Sequence, residues 1–253
     1  MSEVVVTTLV SLCVFAGAIF GMFLNRVLPP HHMGDETRQV VNVAVGLIAT
    51  LAALVLGLMV ASAKASFDAR SDEVRQSAAQ IVMLDRSLRQ YGPEAVPALD
   101  LLHDLVRRQL LLTWEESATP AVRDERHAAS TGVEKFQTLL RNLKPADEAQ
   151  RWLQTRALTL SAKLEETRWL LLESSESSIQ RPFLVVLVLW LAVIFTSLGL
   201  FAPRHRTALA VIVICALSVS TAIFLILEMD QPFSGLMQVS DQPLRDAIRH
   251  IER

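Results

Sequence analysis

The sequence predicts an all-α membrane protein with four transmembrane helices and a water-facing helical bundle inserted between the second and third. Two observations predict it. Four long stretches carry no charged residue, and nearly all the charge is collected in one central block. From Lys64 to Arg181 there are 17 Lys/Arg and 18 Asp/Glu in 118 residues, whereas the other 135 residues hold 7 and 8. Against a usual charged fraction of about 25% in soluble domains, the flanks are strongly depleted.

Each span follows from a charge-free run. There are 22 such residues between Glu3 and Arg26, 25 between Arg38 and Lys64, 22 between Arg181 and Arg204, and 21 between Arg206 and Glu228. A hydrocarbon layer of about 30 Å needs about 20 apolar residues in a helix. The backbone in lipid must satisfy its own hydrogen bonds, so each run is read as helix. The expected organisation is spans at 4–25, 40–63, 182–203 and 207–228, the helical bundle at 64–181 and a tail at 229–253. The first run has no basic leader, since Glu3 is the only early charge, and it is read as a retained span rather than a secretion signal.

Four crossings put both termini and the bundle on one side. The short loops near Arg26–Arg38 and Arg204–Arg206 carry four arginines, which by the positive-inside rule points the loops inward. The basic residues flanking the bundle, Lys64, Arg70, Arg75, Lys163, Arg168 and Arg181, weaken that asymmetry.

No proline interrupts Val40 to Tyr91, so one helix is expected to continue from the second span into the bundle. Its apolar face there is Val74, Ala78, Ile81, Leu84, Leu88 and Tyr91, at steps of three and four. Gly92 and Pro93 end it. Further helices are expected over Glu94–Glu116 and Thr131–Leu143. A last one is expected from Pro145, in its first turn, through to Arg181 and the third span. The helix over Glu94–Glu116 should bury Val96, Leu99, Leu102, Val106, Leu110 and Trp114.

Candidate sites are few. Ala49, Ala53, Gly57, Ala61 and Ala65 recur every four residues along the second span. Small residues on one stripe let helices approach closely, either within one subunit or around a symmetry axis or pore. Glu228 and Asp230, with Asp241 and Asp246 further on, have the carboxylate chemistry of Ca²⁺ ligands, though without EF-hand spacing. The plainer reading, and the favoured one, is ordinary interfacial charge. His31 and His32 beside Asp35 and Glu36 lack a second cluster that would complete a metal site. His103 and Asp104 lie on a helix expected to carry a solvated face. No phosphate-binding glycine loop, metalloprotease motif or nucleophile elbow occurs, so no enzymatic activity and no cofactor are expected. A net charge of −2 argues against nucleic acid as a partner. Cys13 and Cys215 lie in apolar runs, where neither a disulfide nor zinc is expected.

Two stretches carry a resemblance. Leu56–Arg70 reads LGLMVASAKASFDAR. Leu227–Gly235 reads LEMDQPFSG and is followed by Pro243-Leu244-Arg245-Asp246. With the four-span layout, they resemble the bestrophin-like family of bacterial membrane proteins, itself remotely similar to the bestrophin ion channels. The resemblance implies a homo-oligomer in the bacterial inner membrane, surrounded by lipid, passing inorganic ions along an axis lined by the second span. It also implies a cytosolic bundle, against the loop charges, and acidic residues after the last span that hold Ca²⁺ in animal bestrophins. Ser234 stands where bestrophins have glycine, and the second span lacks the polar and aromatic residues of a bestrophin neck. The alternative reading is a non-conducting scaffold or sensor whose helical domain binds a partner.

Overall fold

The computed structural model describes residues 3–27, 34–115, 121–173, 181–203, 205–230, 232–233 and 235–252. Its elements are α1 (Glu3–Val27), α2 (Asp35–Tyr91), α3 (Val96–Leu110), α4 (Ala121–Asn142), α5 (Glu148–Glu173), α6 (Arg181–Phe201), α7 (Arg206–Met229) and α8 (Gln242–Ile251). No strand occurs among the described residues. The chain forms two compact units. One is Met1–Ser66 with Ser177–Asp230, and the other is Phe67–Glu176 with Gln231–Arg253. As expected, α2 is a single helix, 57 residues long.

In the first unit four helices are long and apolar enough to cross a membrane. Helix α1 is the hub, packing along α6 and against α7. Its Val10, Val14 and Ala18 meet Leu187, Leu191 and Phe195 of α6 and Ile212, Ala216 and Ile223 of α7 in one buried cluster. Lipid is as apolar as leucine, so close packing rather than the hydrophobic effect must hold such helices together. Glycines provide it. A Cβ on Gly17 would lie 2.9 Å from the carbonyl oxygen of Ala192. One on Gly21 would collide with the Thr196 carbonyl, and one on Gly199 with that of Ala18. Asn25 Nδ2 donates to the Leu200 carbonyl at the end of this seam. Positions 17, 21 and 25 thus meet 192, 196 and 200 in ascending order. Helices α1 and α6 therefore run in the same direction, as the first and third of four crossings must.

The second unit is a helical bundle around one core. Val74, Ala78, Ile81, Leu84, Leu88 and Tyr91 of α2 are all buried, as their spacing predicts. From Ile81 onward they share a core with residues of α3, α4, α5 and α8, among them Leu102, Val106, Leu140, Ala157 and Ile251. Gly92 turns the chain out of α2 at φ 121°, a conformation that glycine alone adopts cheaply. A 3₁₀ turn, Pro93–Ala95, then leads into α3.

Four details differ from the sequence expectation. Val96 is exposed, because the buried face of α3 runs through Ala98, Leu102, Val106 and Leu110. Helix α4 starts ten positions before Thr131, directly after Pro120. Its Gly132 is tolerated because a side chain there would strike Leu105 of α3. Pro145 does not open α5. The start is set instead by a reciprocal cap in which Gln150 N donates to Asp147 Oδ1 and Ala146 N to Gln150 Oε1, both at 2.7 Å. The stretch read as a tail carries α8, whose Leu244, Ala247 and Ile251 are buried. The expected continuity of α5 into α6 falls on residues outside those described, as do His31 and His32.

Candidate functional site

Helix α2 enters the membrane cluster through Ala52, Met59 and Ala63. At about 100° per residue these three share one side of the helix. Ala53, Gly57 and Ala61 lie about 100–180° further round. All three are exposed, as is Ala65, while Ala49 is half-buried. A Cβ built on Gly57, or on Gly46, meets nothing within 4 Å. The small-residue stripe is therefore not the surface that packs α2 within its own chain. That closeness belongs to Gly17, Gly21 and Gly199, which the sequence reading passed over even though Gly17 and Gly21 already stand four apart in an apolar run. Helix α2 is also the least covered span, with 11% of its most apolar stretch buried against 22–28% in the other three.

Glu228 sits in the last turn of α7 at 4% exposure. Asp230 caps that helix, and its N–H donates to the Leu227 carbonyl at 3.2 Å. No cluster of three or more His, Cys, Asp or Glu suited to a metal ion forms among the described residues. Asp241 and Asp246 are engaged on α8 itself, with Arg245 at 2.5 Å and with Arg249 respectively.

The residues after Asp230 take part in the helical bundle. Pro232 O accepts from Val239 N at 2.7 Å, closing a loop in which Gly235 adopts φ 90°. The indole of Trp114 donates from Nε1 to Val239 O at 2.9 Å and meets the Phe233 ring edge-on, centroids 5.5 Å apart. Together these rings form one wall of a cavity of about 90 Å³, which also reaches Phe136 and Glu165.

The bundle also contains a buried polar cluster. Asp85, 4% exposed, holds His103 through Oδ1 and Arg89 through Oδ2, each at 2.8 Å. Arg89 donates further to the Ile251 carbonyl, and Arg107 binds Glu252 at 2.6 Å, so α8 is tied to the bundle by charge as well as by its apolar face. His103, on a helix expected from sequence to carry a solvated face, is thus a structural partner. No local motif signals it, because Asp85 lies 18 residues away on another helix. Burial pushes the Tyr91 phenol above its usual value, and the nearby charges of Glu94 and Asp147 add to the shift.

No curated protein and no solved structure matches the chain significantly. A family model, the bestrophin-like domain, matches residues 12–244. It takes in most of the first span, the other three, the bundle and the loop that carries Phe233, and the chain belongs to the bestrophin-like family of membrane proteins.

Proposed function

We propose that this protein is a homo-oligomeric ion channel of the bacterial inner membrane, with the Ala49–Ala53–Gly57–Ala61 face of α2 directed at the symmetry axis. One observation carries the reading: α2 packs within its chain by one side and leaves small residues uncovered on the other. Small side chains are suited to the narrow approach of several identical helices. Family membership supports it. In this reading the helical bundle and both termini lie in the cytosol. Glu228 and Asp230 are at most part of a Ca²⁺ site whose remaining ligands come from elsewhere.

The test is to measure the mass of the purified chain in mild detergent and ion flux in liposomes across several salts. A defined oligomer with flux is expected. A strict monomer, or an oligomer passing no ion, overturns the reading. A reporter fused after Arg253 reads the sidedness.

The second reading is a non-conducting sensor. It is favoured by the cavity in the helical bundle, which a channel does not require. Flux that is absent under all salts but a partner or ligand that binds the bundle would select it.

A further inference from the structure

The cavity in the helical bundle has the chemistry of a ligand site. Its volume is about 90 Å³ and it is partly enclosed. An engineered apolar cavity of about 150 Å³ takes up benzene, so this space suits a molecule of only a few heavy atoms. Most of its surface is apolar, from α2, α3, α4, α5 and α8, with the three rings of Trp114, Phe136 and Phe233 among them.

Its polar groups are not those of a passive core. Ser161 is 3% exposed and stands in the cavity wall. A hydroxyl in a cavity wall offers a hydrogen-bonding group to a ligand or water. One turn further along α5, Glu165 is the only charged residue of the cavity wall among the described residues. Its Oε2 accepts from Gln137 Nε2 at 2.6 Å, and Gln137 in turn accepts from Arg141 Nη2 at 3.3 Å. Ser77 of α2 adds a third oxygen.

We infer that this cavity binds a small hydrophobic amine in its ammonium form. The cation's N–H groups are matched by the Glu165 carboxylate and by the Ser161 and Ser77 hydroxyls, all acceptors. Its short carbon tail replaces water against the apolar wall. The aromatic rings favour a cation over an anion, since ring faces carry negative charge. Glu165 repels a carboxylate of the same size. The proposal is independent of ion conduction, because binding is read without flux.

The probes are n-butylamine, n-butanol and butyrate, which share a tail and differ in the head. They are titrated onto the full chain in nanodiscs by ligand-observed nuclear magnetic resonance. Butylamine is expected to bind best and butyrate worst. Glu165→Gln should weaken butylamine by about tenfold, the equivalent of one charge-assisted hydrogen bond, and leave butanol within about twofold. Ser161→Leu, which fills the space, should abolish all binding. If that variant does not fold, Glu165→Gln decides alone. Butyrate binding as well as butylamine, an unchanged butylamine affinity in Glu165→Gln, or no saturable binding of any probe overturns the proposal.

Discussion

The Nε2 of His103 lies 2.8 Å from Oδ1 of Asp85, and this contact joins α3 to α2 in the core of the helical bundle. Asp85 is the centre of the cluster. Its second oxygen takes Arg89, which reaches the Ile251 carbonyl of α8. Truncating the aspartate leaves two donors without their acceptor. Breaking a buried pair in this way costs about 3–5 kcal/mol, but the Arg89 side chain is 44% exposed and water replaces part of the loss. Asp85→Ala should therefore destabilise the bundle by about 2–3 kcal/mol in denaturant titrations followed by circular dichroism. Asp85→Asn, which can still accept through its amide oxygen, should cost less. A loss under about 0.5 kcal/mol for the alanine variant would show that the cluster does not hold the bundle together.

The glycines make a sharper pair of outcomes. Gly21 and Gly199 face backbone carbonyls across the α1–α6 seam, and a backbone cannot rotate away as a side chain can. Gly21→Ala and Gly199→Ala should each cost at least about 1–3 kcal/mol, the usual range for overpacking, and lower the thermal aggregation midpoint in detergent. Gly34→Ala and Gly46→Ala, whose added methyl meets nothing within 4 Å, should leave that midpoint in place. Equal effects at the two kinds of site would mean that the α1–α6 seam is looser than the structure places it.

How far these features were legible in the sequence depends on the range over which they are determined. The spans were, because the membrane requirement acts on each run separately. So was the Val74–Tyr91 face, because its period is local to one helix. The start of α5 was not. Pro145 is a plausible first-turn residue, and the reciprocal cap between Asp147 and Gln150 prevailed because it satisfies two free N–H groups at once. Helix α8 escaped notice because ten residues give too few periods to set it apart from a tail. The Asp85–His103 contact and the cavity depend on how separate helices pack, and no single-helix pattern encodes that. The stripe on α2 was legible as a stripe, but only the packed face of Ala52, Met59 and Ala63 shows that it lies away from its own chain.

Tyr91 is the only tyrosine in the chain, so phenolate absorbance reports on it alone. Its native pKa lies above the ordinary 10.0, first through burial and then through Glu94 and Asp147. The native state therefore holds its proton more tightly than the unfolded state. Its contribution to stability is complete below the unfolded value and is lost as pH rises from there through the native value. Phenolate should appear in the folded protein only above the pH at which free tyrosine ionises. Tyr91→Phe should flatten the alkaline fall in stability. Near neutral pH the substitution should change stability by less than about 1 kcal/mol, because the buried hydroxyl it removes has no hydrogen-bond partner among the described residues. A phenolate that forms at the free-tyrosine pH would contradict the burial.

The last prediction separates the fold of one chain from the assembly of several. Gly57 lies on the uncovered side of α2, and a side chain there meets no atom of its own chain within 4 Å. Gly57→Leu should therefore leave helical content and the α1–α6 seam unchanged. A leucine facing lipid would have no further effect, since lipid is as apolar as leucine. A leucine facing identical helices around an axis would push them apart. In the channel reading the variant should shift from oligomer toward the 28.0 kDa single chain and lose flux, while Ile214→Ala on the exposed side of α7 changes neither. A Gly57→Leu protein that keeps both its assembly and its flux would assign this face of α2 to lipid and require another helix to line the axis.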